Sequence, residues 1–149
     1  MPKYKKHELG QTLMLALRDF QQRLDADLQA RGIAGIRARH RAVFMHLDRH
    51  GASRSVDLAN AAGIRAQSMM KIVHELEELA LVTRTEDPTD SRAKLIEFTA
   101  SGQTLIQELT RSTETIWQQY AELLGSRDLE QSLNSLQQLL SLSKQEQDK

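Results

Sequence analysis

The stretch from Ser53 to Gly102 constrains the fold of this chain more than any other. Its first half contains two amphipathic segments separated by Gly63, where a positive φ would end the first helix, because glycine lacks the Cβ that penalises this conformation. Ser53 or Ser55 is suited to cap that helix, and the small Ala59 allows a second helix to approach closely. The first helix shows an apolar side made of Val56, Leu58, Ala59 and Ala62. This spacing predicts a helix-turn-helix.

The second helix of the pair, predicted over 66–79, has two distinct faces. Its predicted inward residues are Met69, Ile72, Val73, Leu76 and Leu79, at helical spacing. Its other face carries Arg65, Gln67, Ser68 and Lys71 near the start. Long or hydroxylated side chains of this kind donate to phosphates or read base edges. The alternative is that Gln67 and Ser68 are only solvated or capping groups.

A β-hairpin is predicted after the two helices. Residues 81–85 and 94–99 alternate branched or aromatic side chains with polar ones, and the polar stretch 87–92 between them is rich in turn-forming residues. Arg92 is predicted near the tip, where a guanidinium suits a narrow groove of negative potential. Asp90 can accept from Arg92 and orient it. The alternative is that the two residues only pair with each other on a disordered tip.

The residues LEELALVTR, followed by DPTDSRAKLIEFTASG, resemble the multiple antibiotic resistance regulator (MarR) family of winged helix-turn-helix repressors. The resemblance rests on the ordered combination of Asp90-x-Arg92, the Lys94-Leu95-Ile96 strand and Phe98-Thr-x-x-Gly102, and it covers nearly the whole chain. One departure is Ala80, where the family usually has glycine. Alanine fits if the helix end there is not strongly left-handed.

Long apolar helices flank this central region. The first, predicted over 8–31, has a stripe formed by Leu9, Leu13, Ala16, Leu17, Phe20, Leu24 and Leu28. Two more are predicted over 103–124 and 128–143, with Ser126 capping the last helix and a disordered tail from Lys144. The last helix has more leucines than a monomer of this size can bury, so we expect a two-fold dimer, as the resemblance also implies. Residues 1–7 are predicted to be frayed.

The fold expected is therefore mainly α with a small β-hairpin wing. Residues 35–102 would form the winged helix-turn-helix DNA-binding domain, and residues 1–34 and 103–149 the helical dimerisation region. A helix predicted over 35–50 would turn Ile36, Val43, Phe44 and Leu47 inward and Arg37, Arg39, Arg41 and Arg49 outward. Those arginines either contact phosphates or only solvate the surface. His40, His46 and His50 cluster on it, but no spacing completes a metal site, so no metal is predicted.

Charge and composition narrow the function further. The net charge is zero, yet residues 31–71 hold eight basic and two acidic residues, whereas 103–149 hold four basic and seven acidic. A basic centre favours nucleic acid as partner. The absence of cysteine excludes thiol redox sensing and disulfides. The chain lacks a signal-like segment or long apolar run, so we expect a cytoplasmic protein without membrane contact. No nucleophile pattern or phosphate loop occurs, and we expect neither an enzyme nor a cofactor.

These observations predict a homodimeric, sequence-specific double-stranded DNA-binding regulator, a repressor by resemblance, on a pseudo-palindromic operator. The predicted DNA contacts are Ser53, Arg54, Ser55, Arg65, Gln67, Ser68, Lys71, Arg84, Asp90, Arg92 and Lys94. The resemblance also implies an effector, usually a small aromatic or phenolic anion. From position alone its pocket would be lined by Leu13, Leu17, His40, Phe44, Met45, Trp117 and Tyr120. The alternative function is a ligand-binding or protein-interaction helical dimer that does not bind DNA.

Overall fold

The computed structural model describes residues 3–148. These residues form six α-helices and one antiparallel hairpin, which confirms the predicted fold class. In order they are α1 (Leu9–Ala30), α2 (Ala38–His50), α3 (Ser55–Ala62), α4 (Ala66–Glu78), β1 (Val82–Asp87), β2 (Asp90–Phe98), α5 (Ala100–Leu124) and α6 (Ser126–Gln147). One compact unit runs up to Ser112, and a second begins at Thr113. No helix within residues 3–148 is long and apolar enough to span a membrane.

The hydrophobic core of the first unit lies where α2, α3, α4 and the hairpin meet. Phe44 and Phe98 stack there with ring centroids 5.8 Å apart. The fully or nearly fully buried side chains are Val43, Phe44, Leu47, Leu58, Ala59, Met69, Ile72, Val73, Leu76, Val82 and Ile96. Val56 and Leu79 were expected inside but are about half exposed, and Ala62 is exposed too. Val56 and Ala62 lie in the terminal turns of α3, and Leu79 lies beyond the last residue of α4.

The hairpin is longer than the sequence indicated. Its register pairs Val82 with Phe98 and closes with Asp87 opposite Asp90, so only Pro88 and Thr89 form the turn. Arg92 was predicted near the tip in a loop, but it is the third residue of β2. The pairings of Glu86 with Lys94 and of Asp87 with Asp90 extend the hairpin into the polar stretch that indicated a loop, while residues 91–93 have no partner in the register, which shifts between Glu86 and Asp87. Ser53 extends the sheet by an isolated bridge to Ile96, with both backbone bonds present at 3.0 and 2.8 Å.

The helix-turn-helix turn is confirmed at Gly63, which has φ 68° and ψ 30° in the left-handed region. The predicted serine caps are wrong. Arg54 occupies the N-cap of α3 without a side-chain cap bond, and the Ser53 hydroxyl donates instead to the Gly51 carbonyl at 2.8 Å. Similarly, Gly125 holds the N-cap of α6, and Ser126 is the first helical residue.

Ala80 adopts a left-handed conformation with φ 58°, against the expectation of a helix end that is not strongly left-handed. This conformation costs alanine roughly 1–2 kcal/mol. It is held in place because the Ala80 N–H donates to the Glu77 carbonyl at 2.9 Å, while the Thr99 hydroxyl donates to the Ala80 carbonyl at 2.6 Å. The turn from α4 into β1 is therefore stabilised by a residue nineteen positions later.

Gly102 is the only one of the seven glycines at which an added Cβ would meet neighbouring atoms of residues 3–148. A Cβ at this position would lie 2.1 Å from the Leu81 carbonyl oxygen and 2.9 Å from a ring carbon of Phe98. The same Leu81 carbonyl accepts the Thr99 N–H at 3.0 Å, and the Gly102 N–H donates to the Thr99 hydroxyl at 3.1 Å. The Thr-x-x-Gly motif thus binds the start of α5 tightly against the residue that precedes β1.

Several boundaries differ from those predicted. Helix α2 begins at Ala38, three residues later than expected, α5 begins earlier, at Ala100, and α6 continues to Gln147 through most of the predicted disordered tail. Residues 6–8, expected to be frayed up to His7, form a short 3-10 turn. The rest of the frayed-end prediction includes Met1 and Pro2, and the tail prediction includes Lys149; these three lie outside the described residues.

Candidate nucleic-acid interface

Helix α4 presents one polar face to solvent. Its buried side is formed by Met69, Ile72, Val73 and Leu76, which leaves Gln67, Ser68 and Lys71 on the exposed side. Arg65 holds the N-cap in an extended conformation and is also exposed. Within residues 3–148, Arg65 and Lys71 have no ion-pair partner, so both charges are free to bind an anion or a base edge.

The hairpin presents Arg92 with 92% of its side chain exposed. Its backbone N–H donates to Asp90 Oδ1 at 3.0 Å, and its Nε lies 3.5 Å from the same oxygen. Asp90 therefore holds the backbone at Arg92 by a hydrogen bond, while its ion pair with the guanidinium is long and weak. A long cation with most of its surface in water can extend into a groove at little cost.

Two other predicted contacts already have protein partners. Arg84 donates from Nε to Glu77 Oε1 at 2.8 Å, its Nη2 lies 2.6 Å from that oxygen, and Nη2 is 3.2 Å from Nδ1 of His74. Lys94 lies 3.6 Å from Glu86 across the hairpin, in an exposed pair. Exposed pairs of this kind are weak, so Lys94 can exchange Glu86 for a phosphate more easily than Arg84 can leave Glu77.

Asp87 was not predicted, yet it connects the hairpin to the start of α3. It is buried, and it accepts the Thr89 N–H at 2.9 Å, the Thr89 hydroxyl at 2.7 Å and the Arg54 Nε at 2.8 Å. The Thr89 bonds, followed by Arg54, lower the pKa of Asp87 from 3.8 to about 2. Arg54, a predicted DNA contact, is thus held at the turn end of the hairpin, with its Nη2 2.5 Å from Asp87.

Replacing Asp87 with asparagine is expected to destabilise the protein at neutral pH, and the difference from wild type should shrink in acid. The folded pKa of about 2 lies below the unfolded value of 3.8, so the carboxylate stabilises the fold above about pH 4. That contribution is lost as the pH falls from about 4 towards 2. Urea denaturation of both proteins between pH 6 and 2.5 measures it; a difference that stays constant over this range contradicts the assignment.

The serines at the start of α3 differ in availability. Ser53 is buried, and its hydroxyl is committed to the Gly51 carbonyl, whereas Ser55 is half-buried as the first residue of α3. The first backbone N–H groups of a helix have no acceptor within the helix, so the start of α3 can still donate to a phosphate through its main chain.

The residues predicted to line an effector pocket do not share one environment. His40 and Phe44 are buried, Leu13, Leu17 and Met45 are exposed, and Trp117 and Tyr120 lie half-buried in the second unit. A cleft of about 210 Å³ lies instead beside the end of α1. Its lining residues are Asp25, Leu28, Gln29, Ile33, Ala34, Gly35, Ile36 and Arg37. None of the seven predicted residues lines it.

Arg41 was predicted to face outward and is in fact buried, with 8% of its side chain exposed. Its Nη1 lies 2.6 Å from Asp25 Oδ1 on α1, which stabilises the charge inside the protein. Its Nη2 is buried without a hydrogen-bond partner among the described residues. Asp25, the ion-pair partner of Arg41, lines the cleft, and the unsatisfied guanidinium nitrogen is a candidate donor for an anionic ligand. The run of outward-facing arginines in the sequence gave no signal of this.

The histidine cluster on α2 divides into two parts. His46 and His50 face each other with ring centroids 4.5 Å apart, and burial, followed by the charge of His50, lowers the pKa of His46. His40 is buried elsewhere, against α4. Among residues 3–148 no group of three or more ligating side chains could hold a metal ion.

Comparison with known proteins agrees with this geometry. Residues 34–93 match the sequence model of the MarR family. The transcriptional regulator PA4135 is 27% identical, with a TM-score of 0.75 over 89% of this chain and 96% of its own. A MarR-family regulator from Rhodococcus sp. RHA1 is 23% identical, with a TM-score of 0.75 over 93% and 96%. NadR in complex with 4-hydroxyphenylacetate is 25% identical, with a TM-score of 0.71 over 93% and 97%.

Proposed function

Because this chain belongs to the MarR family of transcriptional regulators, we propose that it is a homodimeric repressor that binds a pseudo-palindromic operator in double-stranded DNA. The observation that carries the proposal is the exposed face of α4, on which Arg65, Gln67 and Lys71 have polar groups without partners among residues 3–148. Polar groups on the second helix of a helix-turn-helix are placed to enter the major groove.

Each contact has a chemical role in this proposal. Gln67 pairs with adenine, and Arg65 or Lys71 binds guanine or phosphate, as their donor patterns allow. Arg92 enters the flanking minor groove. Ser68 is a further groove contact. The remaining contacts are to phosphates, from Arg84, Lys94 and the start of α3 at Arg54 and Ser55, while Asp90 positions Arg92. Ser53 has no donor left, because its N–H and hydroxyl both donate within the protein.

Exposed apolar residues support the dimer. On α1, the predicted stripe is buried only at Leu24 and Leu28. Its exposed large apolar residues are Leu9, Leu13, Met14, Leu15 and Leu17, and those of α6 are Leu133, Leu136, Leu139, Leu140 and Leu142. Large apolar patches on a water-soluble chain usually mark an interface. We therefore propose residues 1–34 and 103–149 as the dimerisation region and 35–102 as the DNA-binding domain.

We propose that a small aromatic anion regulates DNA binding. NadR, to which this chain is similar, was crystallised with 4-hydroxyphenylacetate, an aromatic carboxylate. In this chain the buried, unsatisfied Nη2 of Arg41 is a suitable donor for such a carboxylate. A ligand that prefers the dimer with wrongly spaced recognition helices would weaken operator binding by shifting the population. The assignment of the seven residues predicted from the sequence to line the effector pocket stays a prediction.

Selection from random double-stranded DNA tests the function. We expect enrichment of an inverted repeat whose half-sites are about one helical turn apart, because two-fold protein symmetry imposes two-fold symmetry on the site. Repeating the selection with aromatic carboxylates tests the effector. A pool that enriches no sequence contradicts the proposal and favours the alternative, a ligand-binding helical dimer without DNA binding.

Replacing Arg92 with alanine should weaken operator binding about tenfold, because one minor-groove contact is lost. The melting temperature should not change, since the side chain is 92% exposed and its ion pair with Asp90 is long. Fluorescence anisotropy gives the affinity, and thermal unfolding gives the stability. Arg49→Ala, which removes an exposed arginine of α2, is the matched control. Equal affinity of the Arg92 variant and wild type would refute the wing contact.

A further inference from the structure

Glu75 places a carboxylate on the face of α4 that carries the proposed DNA contacts. It follows Lys71 by four residues and Ser68 by seven, and residues at these spacings lie on one side of a helix. The side chain of Glu75 is 41% exposed. An unpaired carboxylate on this face would repel the phosphates of a bound duplex. Whether this part of α4 can lie beside DNA therefore depends on the partners of Glu75.

Two side chains of α2 bind the same oxygen of Glu75. Oε2 lies 2.6 Å from Nε2 of His40 and accepts from Nε of Arg39 at 3.1 Å. His40 is buried, and its Nδ1 accepts the Arg37 N–H at 2.9 Å, so the ring proton is on Nε2 and is directed at Glu75. These bonds, first that of His40 and then that of Arg39, lower the pKa of Glu75. Glu75 is therefore an ionised carboxylate with a fixed orientation.

Arg39 is held through one nitrogen only. Its side chain is 50% exposed, and its two Nη nitrogens have no hydrogen-bond partner among residues 3–148. The Nη pair of a guanidinium binds phosphate oxygens bidentately, and a side chain already held in place loses less entropy when it does so. Arg39 lies in the segment 31–71, which contains eight basic and two acidic residues.

We infer that Arg39 of α2 is a further DNA-backbone contact, held beside the reading face of α4 by Glu75, which is itself fixed by His40. The inference rests on the proposed function, since it assigns a phosphate to the same interface. It also explains why a carboxylate on that face is compatible with DNA binding: Arg39 neutralises its charge, His40 holds it by a hydrogen bond, and Arg39 remains able to bind a phosphate with its free nitrogens.

The test compares the salt dependence of operator binding for wild type and Arg39→Gln. Each phosphate contact contributes nearly one unit to the slope of log affinity against log salt, so the variant should lose about one unit. At about 0.15 M salt this corresponds to roughly three- to tenfold weaker binding. The slope does not depend on the fraction of folded protein, which separates a lost contact from a folding defect. Arg49 is an exposed arginine at the other end of α2, and the Arg49→Gln variant should keep the wild-type slope.

A simpler explanation would be that Arg39 acts only by neutralising Glu75. The same substitution made in a Glu75→Gln background removes that possibility, because no carboxylate is left to neutralise. We expect Arg39→Gln to lower the salt slope in this background too. An unchanged slope in both backgrounds, or a change that disappears with Glu75→Gln, overturns the inference while operator binding by the wild type stands. Failure of the wild type to bind any operator overturns the proposed function and the inference together.

Discussion

Replacing Gly102 with alanine is expected to lower the free energy of unfolding by about 3 kcal/mol, because the new methyl group has no space. Its carbon would lie 2.1 Å from the Leu81 carbonyl oxygen, a backbone atom that cannot rotate away. Relief requires the start of α5 to move away from Leu81, which strains the Thr99 bonds to Leu81 and Ala80. Urea denaturation measures the loss, and thermal unfolding should show a melting point lower by roughly 10 °C.

Gly10 gives a matched control for this substitution. It lies in the first turn of α1, where a new methyl carbon would have none of the described residues within 4 Å, and it has helical neighbours on both sides. Gly10→Ala should therefore stabilise the protein slightly, by up to about 1 kcal/mol, because alanine is the better helix former. If Gly102→Ala were as well tolerated as Gly10→Ala, the tight approach of α5 to Leu81 would not exist in solution.

The inner faces of the helices could be predicted because periodicity reports burial directly. On α4, Met69, Ile72, Val73 and Leu76 are buried as their spacing indicated. Leu79 fits the same spacing but is exposed, because the helix ends at Glu78 and the chain turns through the left-handed Ala80. Periodicity predicts burial only within the helix itself. The local pattern does not show where the helix ends, because that end is stabilised by a distant group, the Thr99 hydroxyl.

The charged residues show the opposite limit. The exposed face of Arg65, Gln67 and Lys71 was predicted because it is opposite an apolar stripe. The positions of Arg41, Asp87 and Arg54 were not, because each is decided by a partner 16 or 33 residues away in the chain. Charged side chains are usually exposed and are buried only when they are paired. A single sequence does not show which residues form the pair.

Introducing two lysines into α6, as Leu136→Lys with Leu140→Lys, is expected to abolish the dimer and weaken operator binding by about a hundredfold or more. Both leucines are exposed within the second unit, Leu140 by 69%, and they lie four residues apart on one side of the helix. Buried in a symmetric interface, the four new charges would lack partners. A monomer binds one half-site and loses the gain from linked binding, which is typically about 10²–10⁴-fold.

Gln138→Lys is the control for this variant, because Gln138 lies on the polar side of α6 with Gln131 and Asn134. It adds one lysine to the same helix, where the double variant adds two, and should leave both the dimer and operator binding unchanged. Light scattering gives the mass of each protein, and circular dichroism shows whether the helices persist. A double variant that remains a dimer would exclude the exposed leucines of α6 from the interface. A folded monomer that still binds the full operator like wild type would show that dimerisation does not link the two half-sites.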